Sequence, residues 1–232
     1  MKPLNHFFDS PSSGKVHFPQ KFCIFFMGLV RAVFGLAFRY KAYDLDHIKT
    51  QFNNKGFIIA GNHCDYFDPL FVMSVMRPRP VRYLAKEEFF KTNRIVARCA
   101  AWLGIIPVKR GSSDMTAIKR SVHMLRRGEI LGIFPEGTRI RSADQKVVYH
   151  EGVALISALA KAPVVPVRLW NTDKIKPQGS RFFHFPKVVL RFGKPISIEE
   201  ERFAALPKNE RYAAFANEVM RLVYELEFPK TR

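Results

Sequence analysis

Cysteine is scarce in this chain, and the cysteines present do not pair. Cys23, Cys64 and Cys99 are odd in number and lack paired ligand spacing, which argues against a disulfide framework or a cysteine zinc site and for a reducing, cytoplasmic setting. Acidic residues are also few, 20 Asp and Glu against 38 Lys and Arg, for a formal charge of +18 over 232 residues. So basic a surface is built to meet an anion: nucleic acid, a phospholipid headgroup or a phosphorylated substrate. There is no internal repeat or low-complexity tract, and the length suits one main domain with at most a small appendage.

Long apolar runs are nearly absent. The first twenty residues, MKPLNHFFDSPSSGKVHFPQ, lack the apolar core and small-residue cleavage site of a signal peptide. The exception is FCIFFMGLVRAVFGLAF, residues 22–38, broken only by Arg31. As a helix it reaches about 25 Å, short of a hydrocarbon core of about 30 Å, and a central Arg31 would cost about 2.5 to 3.5 kcal/mol in a spanning segment. Wound as a helix it gathers Lys21, Gly28, Arg31, Ala32, Gly35 and Arg39 with Ile24 on one narrow sector, and phenylalanines, leucines and valines cover the rest. That pattern suits an amphipathic helix lying in a membrane interface; a core helix with Arg31 reaching outward has the same period. The polar stretch KTQFNNKG near residues 49–55 marks the expected boundary, with an N-terminal membrane-associating helical segment at 1–50 and the main domain at 51–232.

From Gly56 onward, short apolar or β-branched runs alternate with helical periodicity. FIIA, VRYLA, GIIPV, ILGIF, VVPVRL and KVVLRF read as strands, and DPLFVMSVM, EEFFKTNRIVARCAAWLG, SDMTAIKRSVHMLRRG, EGVALISALAKA and PKNERYAAFANEVMRLVYELE as helices. The alternation predicts an α/β domain with a mixed, largely parallel sheet flanked by helices.

Three loops at the carboxyl ends of these strands carry chemistry. In GNHCDYFDPLF, residues 61–71, His63 and Asp68 can form a pair in which a carboxylate orients an imidazole that takes a proton from a hydroxyl. Asn62 and Pro69 shape the turn. A metal site from His63, Asp65 and Asp68 lacks a second histidine at ligand spacing. In PEGTR, Pro135 opens a turn in which Gly137 permits close backbone approach, Glu136 supplies an acceptor, and Thr138 and Arg139 follow, the guanidinium fork matching a phosphate. In GIIPVKR, the strand ends in Lys109 and Arg110. Taken singly, each loop also fits a capped turn or a solvated strand end; three of them at strand ends can converge on one crevice.

In order, Asn62-His63 with Asp68, Gly104-Ile105-Ile106-Pro107-Val108 with Arg110, Phe134-Pro135-Glu136-Gly137-Thr138-Arg139, and Val165-Pro166-Val167 resemble the four blocks of the glycerolipid acyltransferase family. The resemblance implies a single acyltransferase domain in which His63 is the general base and Asp68 its orienting carboxylate. Its activity would be transfer of a fatty acyl group from acyl-CoA or acyl carrier protein to the hydroxyl of a lysophospholipid, with 1-acyl-glycerol-3-phosphate giving phosphatidic acid. No cofactor or metal is implied. Arg110 and Arg139, with Lys109 as helper, would hold the acceptor phosphate, Glu136 would contact the glycerol, and amides near Gly137 would face the thioester oxygen. The chain departs from the family at Asp65, where a small polar residue is usual, and at Glu151, where a lysine is common. Lyso-ornithine lipid, lysophosphatidylcholine and glycerol 3-phosphate therefore stay open as acceptors.

Residues 77–127 hold thirteen Lys and Arg against three acids, a surface that would sit on anionic lipid, with the enzyme attached to the cytoplasmic face of a membrane without spanning it. A nucleic-acid-binding module is the competing use of the charge, but no such motif is present and the aromatics fall in apolar helices. Hydrolysis by the same His63–Asp68 pair would keep the fold and replace the acceptor with water.

Overall fold

The computed structural model describes residues 20–88, 90, 95, 97, 99–100, 103–109, 114–140, 144–145 and 147–229. The stretch read as lacking a signal peptide, most of the helix expected after residue 87, and Arg110 lie outside these residues. In order the elements are α1 (Gln20–Phe38), β1 (Lys41–Tyr43), α2 (Asp46–Gln51), β2 (Phe57–Gly61), α3 (Asp68–Met76), β3 (Val81–Lys86), β4 (Ile106–Val108), α4 (Met115–Arg126), β5 (Ile130–Ile133), α5 (Gly152–Ala160), β6 (Val164–Trp170), a 3-10 turn (Thr172–Lys174), β7 (Val189–Phe192), α6 (Glu201–Ala204) and α7 (Lys208–Glu225).

The sheet runs β1-β7-β6-β2-β5-β3-β4. Strands β2 to β6 are mutually parallel, β7 is antiparallel to β6, and β1 lies parallel to β7 at the edge. Parallel neighbours need crossovers, which α3, α4 and α5 supply between successive strands, as the alternating sequence predicted. The central strands are buried on both faces. In β2, Phe57 and Ile59 join one apolar cluster with Met27, Phe38 and Phe71, while Ile58 and Ala60 join another with Met124, Val153, Phe215 and Val219. Helices α1 and α3 thus cover one face, and α4, α5 and α7 the other.

The expected division at residue 50 runs through one core. Strand β1 pairs with β7, and Cys23, Met27, Val30 and Phe38 of α1 are buried against the sheet. Several residues of the basic stretch are also structural: Arg82 is 2% exposed beside Glu129 and Arg120 is 3% exposed, while Arg79 ties together the carbonyls of Phe52, Lys55 and Gly128.

One glycine makes room for an aromatic ring on the neighbouring strand. A Cβ on Gly132 of β5 would lie 2.3 Å from the Tyr83 ring. Gly132→Ala is expected to destabilise the protein by about 1–3 kcal/mol, the usual cost of overpacking, measured as a lower midpoint of urea unfolding.

Candidate active site

Strands β2 and β5 are neighbours, so the loops leaving their carboxyl ends face each other. The β2 loop is fixed first by Asn62. Its side-chain amide accepts from the Leu169 N–H at 2.8 Å and donates to the Leu169 carbonyl at 3.0 Å, prolonging the β2–β6 ladder by one side chain. The chain then turns into α3, whose first residues are Asp68 and Pro69, with no N–H needed from the proline there.

Asp68 is fully buried, and its Oδ2 accepts three hydrogens: from the Cys64 N–H at 2.7 Å, the Asp65 N–H at 2.8 Å and His63 Nδ1 at 2.8 Å. With Nδ1 so engaged, Nε2 is the nitrogen left for a substrate. The imidazole is also held by its face. It stacks on Phe134, 4.3 Å between centroids and 10° between planes, and Phe134 stacks in turn on Tyr83 at 5.2 Å. Two constraints, one in the ring plane and one across it, leave His63 a single orientation, with 19% of its side chain exposed.

Asp65 is explained by the turn. It is buried, its Oδ1 accepts from the Phe67 N–H at 3.0 Å, and its carbonyl accepts from the Asp68 N–H at 3.3 Å. Burial pushes its carboxyl above the usual range, against the pull of the Phe67 amide. Cys64 is no rival nucleophile: burial foremost, and the Asp68 charge next, push its thiol up to about 12.

The PEGTR loop closes onto this turn through the backbone. His63 N–H donates to Glu136 Oε2 at 2.7 Å, and Ile140 N–H donates to the His63 carbonyl at 2.8 Å. The other Glu136 oxygen accepts from the Tyr224 hydroxyl at 2.6 Å. With 3% exposure and both oxygens held by protein donors, Glu136 ties the His63 turn to α7; these surroundings do not favour the glycerol contact expected for it. Burial raises its carboxyl above the ordinary range, while Tyr224 and the His63 amide pull it back. The Gly137 N–H donates to the Phe134 carbonyl at 3.0 Å, so that amide is engaged within the turn and not directed at a thioester oxygen. Gly137 itself has φ +62°, and a Cβ there would meet the His150 ring at 2.5 Å. Pro135 is buried and its carbonyl accepts from the His150 N–H at 2.8 Å.

The two described cations lie at different distances from the pair. Arg139 lies over the Tyr66 ring, its guanidinium carbon 3.5 Å from the centroid, on the exposed side of the His63 loop, and Thr138 is exposed beside it. Lys109 is exposed at the end of β4, three strand positions from β2, which places it roughly 14 Å across the sheet edge. Its N–H donates to Asp114, the residue that caps α4. Among the described residues no group of His, Cys, Asp or Glu side chains is arranged to hold a metal ion.

Tyr224 carried no signal in the sequence, because it is 88 residues from Glu136 and the period of α7 shows only an amphipathic helix. Arg168 holds that end of α7, donating to the Tyr224 and Leu226 carbonyls and lying over the Trp170 and Tyr224 rings. Burial and the Glu136 charge push the phenol well up, so it stays a donor at neutral pH. Tyr224→Phe is expected to lower kcat about tenfold with KM little changed, and circular dichroism should stay native; an unchanged kcat would show the bond to be idle.

A buried carboxylate orienting a histidine at a strand's carboxyl end, with a guanidinium over the same loop, is an arrangement suited to moving a hydroxyl proton. The chain belongs to the acyltransferase family, whose model matches residues 39–170. It is 29% identical over 207 residues, 89% of this chain and 96% of the other, to 1-acyl-sn-glycerol-3-phosphate acyltransferase of Bacillus subtilis strain 168. With the Streptococcus pneumoniae R6 protein of the same name it shares 31% identity over 159 residues, 68% of this chain and 56% of that one. Its fold is that of the crystal structure of the 1-acyl-sn-glycerophosphate (LPA) acyltransferase PlsC from Thermotoga maritima, with a TM-score of 0.66 at 22% identity, covering 95% of this chain and 87% of that one.

Proposed function

We propose that this enzyme acylates the free hydroxyl of 1-acyl-glycerol-3-phosphate to give phosphatidic acid, using His63 as general base and Asp68 as its orienting carboxylate. The observation that carries the reading is the His63–Asp68 bond at 2.8 Å in an orientation that leaves Nε2 open; the names of the relatives supply the acceptor. Nε2 takes the acceptor's hydroxyl proton as the oxygen attacks the thioester carbonyl. The carbon–sulfur bond breaks, the thiolate leaves, and the imidazolium returns the proton to it. Products are an ester and a thiol, with no covalent enzyme intermediate and no cofactor. The donor is an acyl thioester, either acyl-CoA or acyl carrier protein.

Arg139, with Lys109 and Arg110, holds the acceptor phosphate in this account. Arg139→Ala is expected to raise KM for lysophosphatidic acid roughly 10- to 100-fold, the worth of a charge-assisted hydrogen bond, with KM for the thioester little changed. Equal KM values for native and variant enzyme would remove Arg139 from the acceptor site.

The enzyme works at a membrane surface, on the cytoplasmic face. Opposite its buried side, α1 leaves Phe25, Leu29, Val33 and Leu36 exposed by 51–85%, a stripe at helical spacing, with Lys21 and Arg39 exposed towards the two ends of the helix and Arg31 on another side. No helix among the described residues is long and apolar enough to cross a membrane. An exposed apolar stripe with flanking cations favours a helix lying in the interface, so that the acyl chains of the substrates never leave the bilayer.

A further inference from the structure

A second apolar surface lies at the carboxyl end of α1 and has no place in the chemistry above. Residues 181–186, RFFHFP, form an irregular segment between the 3-10 turn and β7, and Phe182, Phe183 and Phe185 are 77%, 52% and 58% exposed. Three large rings turned to water within four residues are costly to a monomer and mark a surface with something to cover. The segment is also held in place. His184 N–H donates to the Ile175 carbonyl at 2.8 Å, Phe182 N–H to Ser180 Oγ at 3.2 Å, and Arg39 to the Phe185 carbonyl at 3.3 Å.

Its position joins two features already described. Phe185 meets Phe38 at the end of α1, 5.5 Å between centroids, and Phe183 meets Phe67 of the His63 loop at 6.2 Å. Its chemistry is aromatic interleaved with cationic. Lys176 lies over the Phe183 ring at 5.0 Å, Lys174, Arg181 and Lys187 are exposed, and Asp173 is the one acid in residues 171–187. Rings that enter the acyl boundary, with cations at their bases for the headgroups, fit an anionic phospholipid surface.

We propose that residues 181–186 are a second bilayer-inserting element, beside the carboxyl end of α1, which sets the His63 loop against the headgroup layer of an anionic membrane. The proposal rests on the membrane reading of α1, and the experiment separates the two. Tryptophan is introduced in the full chain as Phe182→Trp and, separately, as Leu36→Trp, and quenching is measured on vesicles of phosphatidylglycerol mixed with phosphatidylcholine carrying brominated acyl chains, against the native chain as background. Both probes should be quenched beyond background. Quenching of Leu36→Trp without Phe182→Trp overturns the proposal while α1 keeps its role, and leaves the loop as a surface for a protein partner. Quenching of neither overturns both. As a second readout, Phe182→Ser with Phe183→Ser should bind those vesicles roughly tenfold or more weakly, in keeping with the apolar area lost, and keep its kcat on acceptor presented in detergent. Undiminished vesicle binding by that double variant also overturns the proposal.

Discussion

Replacing His63 with alanine should cut acyl transfer by roughly 10³-fold or more while the chain stays folded, the scale on which a positioned general base contributes. The size follows from geometry. His63 is oriented by Asp68 and by the face of Phe134, and in the proposed mechanism its Nε2 is the base for the acceptor hydroxyl. Folding should survive because the interactions that hold the loop use the backbone of residue 63: its N–H goes to Glu136 and its carbonyl receives the Ile140 N–H. Alanine keeps both. Turnover and a urea unfolding curve on the same preparation check the two halves of the expectation; activity within tenfold of native would remove His63 from the chemistry.

The second large effect is expected of Asp68→Asn, a fall of about 10² to 10⁴-fold, as for other buried carboxylates that fix a catalytic imidazole. Oδ2 accepts from two backbone amides and from His63 Nδ1. An asparagine oxygen can keep the amides, but it brings no negative charge to stabilise the imidazolium that forms as the hydroxyl proton moves. If the amide nitrogen takes that place instead, His63 must present a lone pair at Nδ1 and a proton at Nε2, which cannot act as a base. Alanine would be less informative, since it would leave the Cys64 and Asp65 amides without their acceptor and loosen the turn. Single-turnover kinetics on Asp68→Asn, with the unfolding midpoint as control, tests this; a loss traceable wholly to unfolding would reduce Asp68 to a capping residue.

Much of this arrangement was legible in the sequence because it is local. The strand runs from Phe57 to the end of β7 and the five helical periods come from neighbouring residues, and His63 with Asp68 are five apart in one turn. What was not legible is non-local or too short. Strand β1 is three residues long and exists through its pairing with β7, far along the chain in the register of Ala42 with Leu190 and its neighbours, and shows no alternation of its own. The burial of α1 against Phe71 could not be told from an interfacial helix, since both need apolar residues at the same period. Glu136 reads as an acceptor in any turn; that Tyr224 and the His63 amide occupy it depends on where α7 docks. Asp65 stood out as a departure from the family's small polar residue, and its hydrogen bond to the Phe67 amide gives it to the turn.

The most direct test of the central claim is the balance of products from purified enzyme given an acyl thioester with and without lysophosphatidic acid. Thiol release should depend on the acceptor and match phosphatidic acid formed, one for one, with no burst of thiol when the acceptor is absent. Thiol and free fatty acid released at the same rate without acceptor would contradict it and make the His63–Asp68 pair the centre of a hydrolase.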